Sequence, residues 1–382
     1  MKGFYTSESV GNGQPDRLCD VIADSILDAC LEQDKESRVA CEVMVKDNNV
    51  ILGGEITTNA QINLEEIVKN TLLRVGYTYT PKVINLISKQ SKDVALGVDD
   101  GGAGDQGVMI GYACLETNEY FPLAQAIANS LIRRVEELRE TLGFAKPDMK
   151  SQVTIDYQTY EKPYVKTIVL SVQTIPNVNL LTIKDVLYEK IVLPVLERYK
   201  GRIYDKEIEE FLFNTTGKFE VGGPEADTGV TGRKQPVDAY GTYAPLGGGA
   251  ICGKDATKVD RSAAYLCRFI AKNIVAAGLL TDCTVQMSYA IGLARCLSFD
   301  ICTNDKVDPA LVIELENFIM SEIDMKPKAI IERFDLKRPL YVKWSNLGSF
   351  GQAHKCGVDV PWEQIDADLQ AKLKKFKEEK FN

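Results

Sequence analysis

Residues 214–265 carry Asp227, Arg233, Lys234, Lys254, Lys258 and Asp260 along a run of glycines with few aliphatic residues between them. That mixture suits a polyphosphate. Glycines let backbone N–H groups approach an anion closely, and lysine and arginine supply the opposite charge. The aspartates add hard oxygen donors for a magnesium ion. Because the chain carries a net charge of -9, the cluster does not simply continue a basic surface. A nucleotide with several phosphates is the expected ligand.

Other chemistries are thinned out by what the chain lacks. With one histidine, His354, it cannot build a multi-histidine metal site, and a serine triad would have to use that residue. The neighbours Gly351, Gln352, Lys355 and Cys356 predict an ordinary loop or surface histidine. Catalysis is left to carboxylates, amines, metal ions and positioning. Ten cysteines with no C-x-x-C pair read as reduced, buried thiols. A content of 45% hydrophobic and 26% charged residues predicts a soluble globular chain of two or three domains. No apolar stretch reaches a membrane span, and residues 1–6 have no secretory core, so the expected compartment is the cytoplasm. Acidic balance argues against nucleic acid, and 372–380 reads as the solvated face of a terminal helix.

The elements that must position these groups alternate between α and β. Residues 15–33 predict a helix with Pro15 in its first turn and Asp16 beside it. Its acidic stripe Asp16, Asp20, Asp24, Asp28 reads as a polar face. Residues 38–46 and 50–58 predict paired strands with Val39, Cys41, Val43 and Val45 on one side and Glu42 on the other. Asn63 caps a following helix, with Glu66 three residues on. Further helices are predicted at 122–142, 182–199, 259–277 and 309–322, and strands at 152–158, 165–173, 284–291 and 297–303. Mixed sheets covered by helices, an α+β arrangement, fit this order.

Known phosphate loops do not account for the glycines. Gly248 to Lys254 satisfies G-x-x-x-x-G-K, but Asp255 stands where the Ser or Thr of a P-loop belongs. The stretch Gly101-Gly102-Ala103-Gly104-Asp105-Gln106-Gly107 lacks the strand and later acid of a dinucleotide fingerprint. Longer motifs are more specific. Thr6-Ser7-Glu8-Ser9-Val10, Gly53-Gly54-Glu55-Ile56-Thr57-Thr58, Gly102-Ala103-Gly104-Asp105-Gln106-Gly107, Thr228-Gly229-Val230-Thr231-Gly232-Arg233-Lys234 and 247–262 resemble the S-adenosylmethionine synthetase family over nearly the entire chain.

The resemblance implies attack of the methionine sulfur on ribose C5′ of ATP, release of the triphosphate, and its hydrolysis to pyrophosphate and phosphate. Positioning and neutralisation of negative charge are the main demands of such a displacement. Two Mg2+ ions per site and one K+ per subunit are implied, with Asp16 and Asp260 as magnesium ligands and Glu42 as the potassium ligand. Catalytic roles carry over to Gln14, Arg17, Lys150, Arg233, Lys234, Lys254 and Lys258. Nucleotide contacts carry over to Gln14, Asp148, Met149, Lys150, Lys218, Phe219, Asp227, Arg233, Lys234, Ala250 and Lys254, with Phe219 stacking on adenine. Glu55, Gln90, Asp105, Asp227 and Lys258 are implied around methionine. As bare residues, Phe219 would read as core, Glu55 as a strand-edge charge and Asp16 as a helix-dipole partner.

Three departures stand out. Gly13-Gln14-Pro15-Asp16-Arg17 replaces the family's Gly-His-Pro-Asp-Lys, so a neutral amide stands where an imidazole would meet the triphosphate. This raises the alternative of a weakened paralogue that binds ATP and metal in a regulatory or scaffolding role. The loop through Asp99-Asp100-Gly101 and the stretch 77–89 are also shorter than in relatives. The family fold implies three related domains in a pseudo-threefold arrangement, here 1–93, 102–218 and 219–382 with segments interleaved in space. Active sites shared across a homodimer, and a homotetramer, are expected, with sheet surfaces apolar on both faces.

Overall fold

A computed structural model describes residues 3–89 and 101–380; Gln90 and the loop through Asp99 and Asp100 lie outside the described residues. In chain order, β1 (Phe4–Val10) leads into α1 (Pro15–Gln33), then β2 (Arg38–Lys46), β3 (Asn49–Thr57), α2 (Leu64–Val75) and β4 (Lys82–Asn85). The middle of the chain forms β5 (Gly107–Cys114), α3 (Leu123–Leu142), β6 (Ala145–Asp156), β7 (Tyr164–Thr174), α4 (Leu180–Leu187), α5 (Leu193–Arg198) and β8 (Glu210–Phe213). Next come β9 (Gly229–Val230), α6 (Gln235–Asp238), α7 (Val259–Ala276), β10 (Asp282–Tyr289), β11 (Ser298–Cys302), α8 (Pro309–Glu322) and α9 (Pro327–Phe334). The chain ends in α10 (Tyr341–Trp344), a hairpin of β12 (His354–Lys355) and β13 (Val358–Asp359), and α11 (Ala367–Lys380).

Local chemistry sets the boundaries. Pro15 opens α1 while the Gln14 Oε1 accepts the Arg17 N–H at 3.0 Å. Asn63 caps α2 through Glu66 N–H at 3.2 Å, and glycines with positive φ close α2 and α3 at Gly76 and Gly143. The helix expected over 182–199 is interrupted by a π turn at Tyr188–Val192, beside Pro194, which has no N–H to give the ladder. The strand expected from 152 begins at Ala145, because a register shift between Ala145 and Met149 accommodates Pro147.

Among the described residues three larger sheets result, ordered β4-β3-β2-β9, β1-β6-β7-β8 and β11-β10-β5. Each packs one long helix on one face: α1 on β2, α3 on β6 and β1, and α7 on β5 and β10. The sheets ignore linear order, since β1 joins the middle strands and β9 joins the N-terminal ones. Val39, Cys41, Val43 and Val45 of β2 face the core, as their alternation predicts. The opposite faces of two of these sheets are not wholly apolar, contrary to expectation: Glu42 and Glu55 project beside Met44 from one, and Lys150 and Gln152 from another, all exposed. Seven of the ten cysteines are buried, but Cys302 and Cys356 are exposed and Cys296 is half-buried, so the buried-thiol reading fails for these three. His354 lies exposed on the small hairpin, its Nδ1 3.0 Å from Asp359. Among the described residues, no helix is long and apolar enough to cross a membrane.

Candidate active site

The first turn of α1 brings Gln14 and Asp16 against the segment that follows β9. Asp16 accepts the Val230 N–H at 3.0 Å, pairs with Lys234 at 2.5 Å and lies 3.5 Å from the Arg233 guanidinium, with the Gln14 Nε2 at 3.4 Å. Burial pushes the Asp16 carboxyl up, yet Lys234, the Val230 N–H and Arg233 outweigh it and hold the group below the usual carboxylate range. It stays ionised. Arg17 points the other way, buried and ion-paired with Asp238.

A second charged group opens α7. Asp260 accepts the Gly249 N–H at 2.9 Å and pairs with Lys254 at 2.5 Å. The glycines are needed here, because a Cβ at Gly248 or Gly249 would press on the Asp260 carboxylate at 3.1 or 3.0 Å. A β-bridge from Ala40 to Lys254 brings this loop to β2, and Ala250 abuts Gly232, so the segments that carry the two charged groups are in contact. Burial raises the Glu42 carboxyl; Lys254 opposes that shift and Glu55 adds to it. Lys258 is turned inward onto Asp255 at 2.5 Å, and Asp255 also accepts the Val39 N–H at 2.7 Å.

The remaining nucleotide candidates lie along β6 and in the segment after β8, and Glu55 and Asp105 lie on neither. Asp148 accepts the Gly223 N–H at 2.7 Å; burial raises its carboxyl, opposed by that bond and Lys150 and reinforced by Asp227. Met149 is buried in the core, which leaves only its main chain to offer a ligand. Phe219 is half-buried and packs beside Gly222, while Lys218 is exposed and paired with Glu220 at 3.0 Å. Glu55 is exposed on β3, and Asp105 is half-exposed with its Oδ1 on the Gln106 N–H.

The acidic stripe of α1 is not a solvated face. Asp20 accepts the Gly232 N–H at 2.9 Å, Asp24 pairs with Arg261 at 2.7 Å and accepts the Gly253 N–H at 2.8 Å, and Asp28 accepts the Tyr341 and Val342 N–H groups. Each turn of α1 thus grips a different C-terminal segment. Apolar residues on both sides of the stripe, Leu18, Cys19, Ile22, Ala23, Ile26 and Leu27, were the available signal that the stripe itself lies in the interior. Among the described residues, Asp20, Asp238 and Cys252 alone bring three possible ligand atoms within 4.8 Å of one another. Arg17 already compensates Asp238 there, so the cluster acts as a buried joint.

Three helix-backed sheets, with a lysine–carboxylate pair at the N-terminus of each of two long helices, define an α+β protein built to meet anions. Family models for S-adenosylmethionine synthetase match the chain in three parts: the N-terminal domain over 2–95, the central domain over 100–219 and the C-terminal domain over 221–364. The S-adenosylmethionine synthase of Clostridium tetani (strain Massachusetts / E88) is 42% identical over 392 aligned residues, covering 96% of this chain and 98% of the relative. The chain belongs to the S-adenosylmethionine synthetase family.

Proposed function

We propose that this chain is a methionine adenosyltransferase whose polyphosphate site is built on Asp16, Lys234, Lys254 and Asp260. It forms S-adenosylmethionine from ATP and L-methionine. The sulfur forms a bond to ribose C5′, the C5′–O bond breaks, and the triphosphate departs with the electron pair. Water then cleaves the triphosphate to pyrophosphate and phosphate. The observation that carries this reading is the pairing of each carboxylate with one lysine. Lys234 and Lys254 present charge that an entering polyphosphate competes for, and Arg233, largely exposed, adds a third cation.

The donors fit a metal. Asp16 and Asp260 are carboxylates with no third acidic group converging on either among the described residues, which suits Mg2+, an ion that keeps water and substrate oxygens in its shell. Bound there, two Mg2+ ions would neutralise triphosphate charge. Glu42, whose carboxyl is raised in part by the nearby Glu55, would hold one K+. On the nucleotide side, Asp148, Lys150, Lys218, Asp227, Ala250 and the main chain of Met149 would contact ATP, with Phe219 against the adenine. Glu55, Asp105, Asp227 and Lys258 would surround methionine, together with Gln90. Gln14 meets the triphosphate, and Arg17 supports the loop through Asp238. Glu42, Glu55 and Lys150 lie exposed on sheet faces, where a second copy of the chain would cover them in a homodimer with shared active sites, within a cytoplasmic homotetramer.

The test incubates the protein with ATP, methionine, Mg2+ and K+ and follows S-adenosylmethionine and phosphate together. Methionine-dependent formation of both is expected. ATP binding without either product would instead establish the non-catalytic paralogue. That second reading is disfavoured because Gln14 keeps the N-cap and a donor facing Asp16.

A further inference from the structure

One side chain outside the charged groups touches both segments that flank them. Tyr77 follows Gly76, whose left-handed φ of 115° closes α2. The Gly76 N–H reaches the Leu72 and Leu73 carbonyls at 3.0 and 3.1 Å, and the Tyr77 N–H reaches the Leu72 carbonyl at 2.9 Å. Arg139 of α3 donates to the Val75 carbonyl at 2.7 Å, so the end of α2 is anchored. From this fixed base the Tyr77 hydroxyl donates to the Gly13 carbonyl at 2.6 Å.

Gly13 is the residue before Gln14. Its own N–H bonds the Pro147 carbonyl at 3.2 Å, and the Gly11 N–H bonds the Met149 carbonyl at 2.9 Å. Asn12 adds bonds from its N–H to Glu136 at 3.0 Å and from its Nδ2 to Asn346 at 3.1 Å, and Tyr77 is a further, separate fastening, the one made to the Gly13 carbonyl. The same phenol occupies the space beside Gly223, where any Cβ would collide with it. Gly223 has a φ of 65° and gives its N–H to Asp148. Burial pushes the phenol of Tyr77 up, which keeps it a proton donor.

We propose that Tyr77 is a positioning residue for the polyphosphate site: its hydroxyl holds the Gly13–Gln14 peptide in register with the Asp148–Gly223 segment. The inference rests on the reading of Gln14 as a triphosphate contact. Tyr77 acts through Gln14 and touches no substrate itself.

The experiment compares wild type, Tyr77→Phe, Gln14→Ala and the double variant by calorimetric binding of inorganic tripolyphosphate with Mg2+ and by steady-state turnover. Tyr77→Phe should weaken tripolyphosphate about tenfold and lower kcat about tenfold, while the methionine KM stays within about twofold. In the Gln14→Ala background the same change should cost less than about twofold, the mark of a coupled pair. Unchanged affinity with a lowered melting temperature would make Tyr77 a packing residue and overturn the proposal. An equal loss in both backgrounds would also overturn it. Wild type that binds tripolyphosphate but makes no S-adenosylmethionine would sink the catalytic reading, and the binding cycle would still decide Tyr77. Failure of wild type to bind tripolyphosphate would sink both.

Discussion

Gln14 does two jobs with one amide. Its oxygen caps α1 at 3.0 Å from the Arg17 N–H, and its nitrogen faces Asp16 at 3.4 Å. A neutral imidazole can also accept at the cap, and on protonation it exchanges that bond for what the amide lacks, a cationic form near departing phosphate. Gln14→His is therefore expected to raise kcat for S-adenosylmethionine formation by about 10- to 100-fold, within the worth of one charge-assisted donor. An unchanged rate would show that the step limiting turnover lies elsewhere. At this scale the sequence was informative where charge was concentrated: Lys234, Lys254 and Asp260 stood out among glycines, Asp16 came only from the family resemblance, and the structure pairs Asp16 with Lys234 and Asp260 with Lys254. Arg17 was not legible. Nothing local tells a buried guanidinium facing Asp238 from one facing solvent, because the partner is remote in sequence.

Among the elements, α1 is the organiser. Asp16, Asp20, Asp24 and Asp28 reach, in turn, the Val230, Gly232, Gly253 and Tyr341–Val342 main chains, so the phosphate-facing loops inherit their spacing from the pitch of one helix. Asp24 is the strongest link, since it also neutralises Arg261, and both side chains are fully buried. Asp24→Asn leaves that guanidinium uncompensated and should cost about 3–5 kcal/mol in a urea melt. A loss below about 1 kcal/mol would mean that the loops hold α1 in place and not the reverse. Helices with clear apolar periods and caps, such as α1, α2, α3 and α8, were readable from the sequence. β5 was not, because Met109 to Cys114 is buried on both faces and shows no alternation. Short β4 and β8 pair in parallel with β3 and β7, and those long-range contacts leave little pattern within four residues.

Across the whole molecule, α7 transmits order from the C-terminal segment to the site. Asp260 stands at its start, and Arg268 and Lys272 farther along both bind Glu363, at 2.8 Å each. Glu363 also accepts the Gly351 N–H at 2.8 Å, while Arg268 donates to the Tyr112, Tyr120 and Glu119 carbonyls. Burial alone would push the Glu363 carboxyl up, but Arg268 and Lys272 outweigh it and hold the group down at about 2, against 4.5 for the free side chain. Its contribution to stability is therefore present above about pH 4.5 and fades as pH falls toward about 2, because the unfolded chain takes up that proton first. Glu363→Gln leaves two buried cations facing a neutral amide and should cost about 3–5 kcal/mol at pH 7. As pH falls through that window the gap between variant and wild type should narrow, since wild type alone loses this carboxylate. Urea melts at several pH values would measure both effects. A gap that stayed constant with pH would remove Glu363 as the titrating group, and the link between the C-terminal segment and α7 would then rest on packing of Trp362 against Tyr265, whose rings stack at 3.5 Å.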